Sequence, residues 1–205
     1  MSGPIVRMLT GDTAPLTARR VFERGDPGPI AASLAHVPEL LEVGLPFFGR
    51  ALRGVTVGLR TAELVIVRAS AVLGCRYCTL THAAVALDAD VTPEEVRALC
   101  SDQPAAAARD DRERSLLAWV DAVAAGHGPV VTELTDAMSA WADDATLIEL
   151  TTMVGCTVLL NRYCSSLGLP VSAGSMARLD EAGVTPDALG FGEGEDTGEE
   201  REMPA

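Results

Sequence analysis

With 205 residues, of which 48% are hydrophobic and 22% charged, the chain is long enough to bury a core without disulfide or metal staples. All 16 basic residues are arginine, which excludes mechanisms that need a lysine, from Schiff bases to the phosphate-gripping lysine of a Walker loop. A net charge of −13 and a pI near 4.5 oppose a nucleic-acid partner, whose backbone demands clustered basic side chains.

Residues 1–29 contain Pro4, Pro15, Pro27, Gly28 and Pro29 with little periodicity, and read as an extended or partly helical N-terminal arm. The first ten residues lack a signal peptide's apolar core. No run of about 20 apolar residues follows to span a bilayer, so a cytoplasmic protein without membrane contact is expected. In that compartment the five cysteines are expected as thiols, with any disulfide catalytic or redox-sensing.

From Ile30 to Arg53 apolar residues recur at helical spacing, and Pro38 and Pro46 are expected to start or break helices, giving two short ones. Residues 60–73 are apolar on almost every side; their length and alanines favour a buried helix over a strand. Gly74 interrupts this segment, and a second helix is expected from about Cys75 to Leu87. Thr92-Pro93-Glu94-Glu95 carries a capping-box signal, with threonine at the cap, proline in the first turn and glutamate at the third position. A polar surface connection from Ser101 to Asp111 precedes amphipathic helices over Arg112 to Ala125 and Thr132 to Ala142. The last long helix, about Ala145 to Leu167, is too apolar for a surface element and belongs in the core or at a subunit interface. Thr185-Pro186-Asp187 opens one more short turn. Residues 193–202 hold six acids against one arginine, and a disordered acidic tail is expected over 191–205, leaving 30–190 as the helical domain.

The chemistry-bearing pattern is Glu63, Cys75, Cys78 and His82. At 100° per residue, Cys75, Cys78 and His82 fall within roughly 60° of a common helix face and can line one pocket. Along a continuous helix Glu63 would lie about 18 Å from Cys75, so it reaches the site only if Gly74 folds the two helices together. The same break puts the Cys-x-x-Cys pair in a helix's first turn, where free N–H groups and the macrodipole favour thiolate. Proton transfer through His82 and Glu63, at about 10² to 10⁴ in rate, should matter more than this two- to threefold gain in attack.

In type and spacing these four residues resemble the proton-relay motif of alkylhydroperoxidase D, within the carboxymuconolactone decarboxylase superfamily. The resemblance runs through Leu64-Val65-Ile66-Val67-Arg68 and Leu160-Asn161-Arg162 and covers roughly residues 30–170. It implies an all-α helical bundle, assembly into trimers or hexamers, and a dithiol/disulfide cycle in which Cys78 meets a peroxide and Cys75 resolves it. The partners so implied are a small peroxide or other small organic substrate and an external dithiol, with no cofactor and no metal. Where alkylhydroperoxidase D carries a histidine beside the second cysteine, this chain has Tyr77, a hydrogen-bond donor but a poor proton shuttle near neutral pH.

Two other readings stand beside the peroxidase. One is a carboxymuconolactone decarboxylase-like enzyme acting on a small metabolite, which does not call for the cysteine pair. The other is a redox sensor, or a zinc module holding its metal with Cys75, Cys78 and His82. Cys100, Cys156 and Cys164 read as small buried apolar residues. Arg-Tyr-Cys recurs at 76–78 and 162–164, but the second copy has no cysteine three residues earlier and no histidine four later, and reads as coincidence. His36 and His127 receive no role, and Arg162 reads either as an interface salt-bridge partner or as an anion-binding residue.

Overall fold

A computed structural model describes residues 3–126 and 128–192, and among them every regular element is helical. The α-helices are α1 (Pro29–Leu34), α2 (Pro38–Ala51), α3 (Leu59–Val72), α4 (Arg76–Leu87), α5 (Pro93–Leu99), α6 (Asp111–Ala125), α7 (Thr132–Ser139), α8 (Asp144–Leu167) and α9 (Ala173–Glu181). Most of the expected acidic tail, together with His127, lies outside the described residues.

The organising element is α3. Its residues from Ala62 to Val67 are all buried, so it meets neighbours on every side. Leu64 and Val67 pack with Leu80 and Ala83 of α4, Val96 and Leu99 of α5 and Leu179 of α9. Ala62, Val65, Ile66 and Ala69 face Leu116, Trp119 and Val120 of α6 and Leu150, Met153 and Val154 of α8. Each such aliphatic side chain contributes about 1.5–3 kcal/mol on full burial, which outweighs the weak helix propensity of valine and isoleucine here.

Two arginines of α3 extend these contacts into polar networks. Arg60 bonds Glu95 at 3.0 Å and Glu113 at 2.8 Å, and Arg109 joins Glu95 at 2.9 Å, so α3, α5 and the start of α6 share one ion-pair cluster. Arg68 pairs with Asp121 and donates to the carbonyls of Leu99 (3.0 Å) and Ser101 (2.8 Å).

The N-terminal segment packs on its own chain. Leu9, Ala14 and Ala18, the last in a 3₁₀ turn over Leu16–Phe22, join Ala31, Leu34, Ala35 and Leu41 in a satellite core. His36 Nε2 meets the carbonyl of Arg7 at 2.8 Å, a tether invisible in the sequence.

Two elements differ from the expectation. Pro46 does not break α2, which continues through it. The proline and Glu42, whose carbonyl loses its helical donor, are both exposed, so water serves the orphaned oxygen. The helix α9 lies where none was expected. Ser172 caps it, accepting from the Ser175 N–H at 3.0 Å, and Leu179 anchors it in the main core. The capping box at Thr92 forms as its sequence requires, with both reciprocal bonds present.

Candidate active site

Gly74 takes φ 63°, a left-handed conformation that ends α3 and turns the chain back. The turn closes through Cys75 N–H to the Ser70 carbonyl at 3.1 Å. Cys75 becomes the N-cap of α4, and Cys78 sits one turn in. The seam is pinned to α8 from behind, where Asn161 Nδ2 donates to Ser70 Oγ at 3.1 Å and to the Thr157 carbonyl at 2.7 Å.

The fold-back returns Glu63 to the imidazole rather than to the sulfurs. Glu63, only 3% exposed, accepts from His82 Nδ1 at 2.9 Å. With Glu63 as a carboxylate, which can only accept, Nδ1 is the donor and Nε2 is the ring nitrogen left for other partners. His82 and Cys78, one turn apart on α4, both line a pocket of about 320 Å³. Its remaining wall is mainly apolar, built from Leu45, Phe48 and Leu52 of α2, Ile66 of α3 and Leu160 of α8. Tyr77 and Thr81 also line it; Cys75 does not, and stands behind Cys78.

The thiols are not electrostatically independent. Cys75 is pushed up from its ordinary value by its hydrogen-bonded neighbour Cys78 and by burial. Cys78 is pushed up chiefly by Cys164 and by burial, against an opposing hydrogen bond from Cys75. One thiolate in this buried group holds its neighbours protonated. The expectation that the helix start favours thiolate meets an opposing effect here: hydrogen bonding among the sulfurs and burial push both thiols up. Burial likewise raises Tyr77, helped by the nearby thiols, which keeps it a neutral donor. Of the remaining cysteines, burial pushes Cys100 up to about 12 and Cys156 up to about 11.

Cys164 is buried, as expected, and lies in the same cluster as the Cys-x-x-Cys pair, a proximity the sequence did not reveal. It packs with Cys75, Cys78 and Leu169, flanked by Tyr77 and Tyr163, so the two Arg-Tyr-Cys triplets converge in space. Their echo was the available signal, but its spacing matched no motif. Asn161, within the Leu160-Asn161-Arg162 stretch of the resemblance, lines the pocket, and its Oδ1 has no partner among the described residues. The zinc reading finds no grouping of three or more His, Cys, Asp or Glu side chains placed to hold a metal among the described residues.

The model of the Carboxymuconolactone decarboxylase family matches residues 38–122, which include Glu63, both thiols of the Cys-x-x-Cys pair and His82. Over those residues the chain is similar to the carboxymuconolactone decarboxylase family. No curated protein matches it significantly. Among solved structures, the chain is similar to an alkylhydroperoxidase D core, an uncharacterized peroxidase-related protein of Ralstonia eutropha JMP134, with a TM-score of 0.71 and 20% identity over 85% of this chain and 95% of that one. A second peroxidase-related protein, from Silicibacter sp. TM1040, aligns with a TM-score of 0.74 and 16% identity over 85% and 95% of the two chains. The debrominase Bmp8, solved as a cysteine-to-alanine variant in complex with 2,3,4-tribromopyrrole, aligns with a TM-score of 0.66 and 20% identity over 88% and 96%. These likenesses establish an alkylhydroperoxidase D-like fold.

Proposed function

We propose that this protein is a thiol-dependent peroxidase of the carboxymuconolactone decarboxylase superfamily that reduces a small, largely apolar hydroperoxide. The observation that carries the reading is that Cys78 and His82 share the pocket wall while buried Glu63 fixes the imidazole with Nε2 free. On substrate entry, Nε2 takes the Cys78 proton, and the thiolate attacks the terminal peroxide oxygen. The O–O bond breaks, the sulfur becomes a sulfenic acid, and the departing alkoxide receives the proton back from His82. Cys75 then attacks the Cys78 sulfur to form a disulfide and release water, and an external dithiol, itself oxidised, restores both thiols. Because the resting thiols are held protonated, His82 is needed at the moment of attack and not only for the leaving group. Decarboxylation would leave the paired thiols without work.

The apolar pocket favours one second reading, reductive dehalogenation of a small ring, since a neighbour in fold is a debrominase. The two share the dithiol and differ in product. Peroxide consumption and halide release are measured with dithiothreitol on wild type and Cys78→Ser. Hydroperoxide turnover abolished by Cys78→Ser is the expected result; halide release without peroxide turnover moves the assignment to the second reading, and activity retained in the serine variant refutes both.

A further inference from the structure

The Cys78 sulfur has a thiol neighbour on each side. Cys75, the cap of α4, precedes it by three residues, and Cys164, in the last turn of α8, packs in the same buried cluster. All three are buried, with Cys164 only 1% exposed. Cys164 is absent from the pocket wall, so substrate meets Cys78 while Cys164 stays sheltered behind it. Its backbone is held firmly. Gly168 ends α8 in the left-handed conformation, and the Leu169 N–H closes on the Cys164 carbonyl at 3.0 Å. Leu169 and the rings of Tyr77 and Tyr163 complete the apolar surround.

We propose that Cys164 is a second resolving thiol, which attacks oxidised Cys78 to form a Cys78–Cys164 disulfide linking α4 to α8. The inference rests on the reading of Cys78 as the attacking thiol. Peroxide oxidises the Cys78 sulfur to a sulfenic acid. The Cys164 sulfur then forms the S–S bond, the S–O bond breaks, and the hydroxyl leaves as water with the Cys164 proton. Reduction runs through the pocket: an external dithiol attacks Cys78, the only bridge sulfur on the pocket wall, and Cys164 departs as a thiol. Cys75 can make the same attack from within, exchanging the interhelical bridge for Cys75–Cys78 and freeing Cys164. A sulfenic acid in this nest therefore faces two thiols, and its lifetime toward over-oxidation is short.

The proposal separates two outcomes for the Cys75→Ser protein. With Cys75 as the lone resolver, this variant stalls as a sulfenic acid on Cys78; with Cys164 resolving, it proceeds to a disulfide. Cys75→Ser and Cys75→Ser/Cys164→Ser are each treated, folded, with one equivalent of cumene hydroperoxide or with diamide, which joins adjacent thiols without a peroxide step. Samples are quenched with dimedone and iodoacetamide and mapped by non-reducing peptide mass spectrometry. The expected result for Cys75→Ser is loss of two thiols, a Cys78–Cys164 linked peptide with either oxidant, and no dimedone adduct; the double variant labels with dimedone at Cys78 after peroxide. A dimedone adduct on Cys78 of Cys75→Ser with Cys164 still free, or no linked peptide after diamide, overturns the proposal. Linkage by diamide with no reaction toward peroxide keeps the thiol pair and overturns the peroxidase reading instead.

Discussion

At the scale of single residues, the proposed function divides labour between a reacting sulfur, Cys78, and the hydrogen-bonded pair of His82 and Glu63. Glu63 is buried against His82 Nδ1, so in the proposed reaction its work is to hold an orientation, while His82 is the group that would meet the reacting atoms in the pocket. His82→Ala and Glu63→Gln should each lower kcat/KM by about 10² to 10⁴, the range for general acid–base catalysis, with both thiols still titratable by a thiol reagent. Loss confined to KM would instead mark the pair as a binding feature. The thiols carry a second expectation. Burial and sulfur neighbours raise Cys75 and Cys78, so the fraction ionised at neutral pH falls below that of an exposed cysteine. The iodoacetamide alkylation rate of Cys78 should therefore be slow at pH 7 and keep climbing through alkaline pH; a plateau reached below pH 7 would restore the helix-start thiolate.

At the scale of elements, one left-handed residue decides whether the four site residues meet. A Cβ added at Gly74 would touch nothing within 4 Å, so the cost of a side chain there is backbone strain alone. Gly74→Ala should lower stability by about 1–2 kcal/mol in urea titration, and Gly74→Asn by less, since asparagine tolerates the left-handed region. A similar loss on Gly49→Ala, at an ordinary helical position with open space, would point to a cause other than φ. The ion-pair cluster adds a pH term. Burial raises Glu95, but hydrogen bonds from Arg60, the Thr92 N–H and Arg109 outweigh it and hold the carboxyl at about 2, against an ordinary 4.5. A folded value below the unfolded one stabilises above about pH 4.5 and is lost as pH falls through about 2. Glu95→Gln should be less stable than wild type at pH 7, and the further loss of stability between about pH 4.5 and about 2 in urea titration should be smaller in the variant than in wild type.

At the scale of the whole molecule, the surface keeps apolar side chains that the chain itself does not cover. Leu40, Val43 and Phe47 lie on one face of α2 and are 55%, 67% and 50% exposed; on α8, Ile148 and Leu159 are 68% and 50% exposed. A repeated apolar face of this kind is buried most economically by further copies of the chain. The expected state is a homo-oligomer, and light scattering at micromolar concentration should return a multiple of 21.4 kDa, reduced toward one chain by Val43→Glu. A clean monomer of the unaltered protein contradicts the assembly and leaves the single-chain pocket intact.

Local signals were legible where the chain dictates its own geometry. The helical period, the Thr92 capping box, the glycine after the apolar run and the spacing of Glu63, Cys75, Cys78 and His82 all depend on residues near one another, and a helix has a fixed rise and angle. From these alone follow an all-helical chain and a dithiol beside an imidazole. Pro46 and α9 escaped the same logic because their outcome depends on exposure and on partners far along the chain: solvent serves the carbonyl at Glu42, and the main core receives Leu179. The third thiol shows the limit most clearly. Cys164 lies 86 residues beyond Cys78 in the numbering, and no local period links them. Only the packing of α8 against α4, fixed by α3 lying buried between its neighbours, brings that sulfur to the site and makes it raise the thiol it touches. Sequence determines which chemistry the chain carries within a few helical turns; tertiary structure decides which distant groups share its dielectric and its electrons.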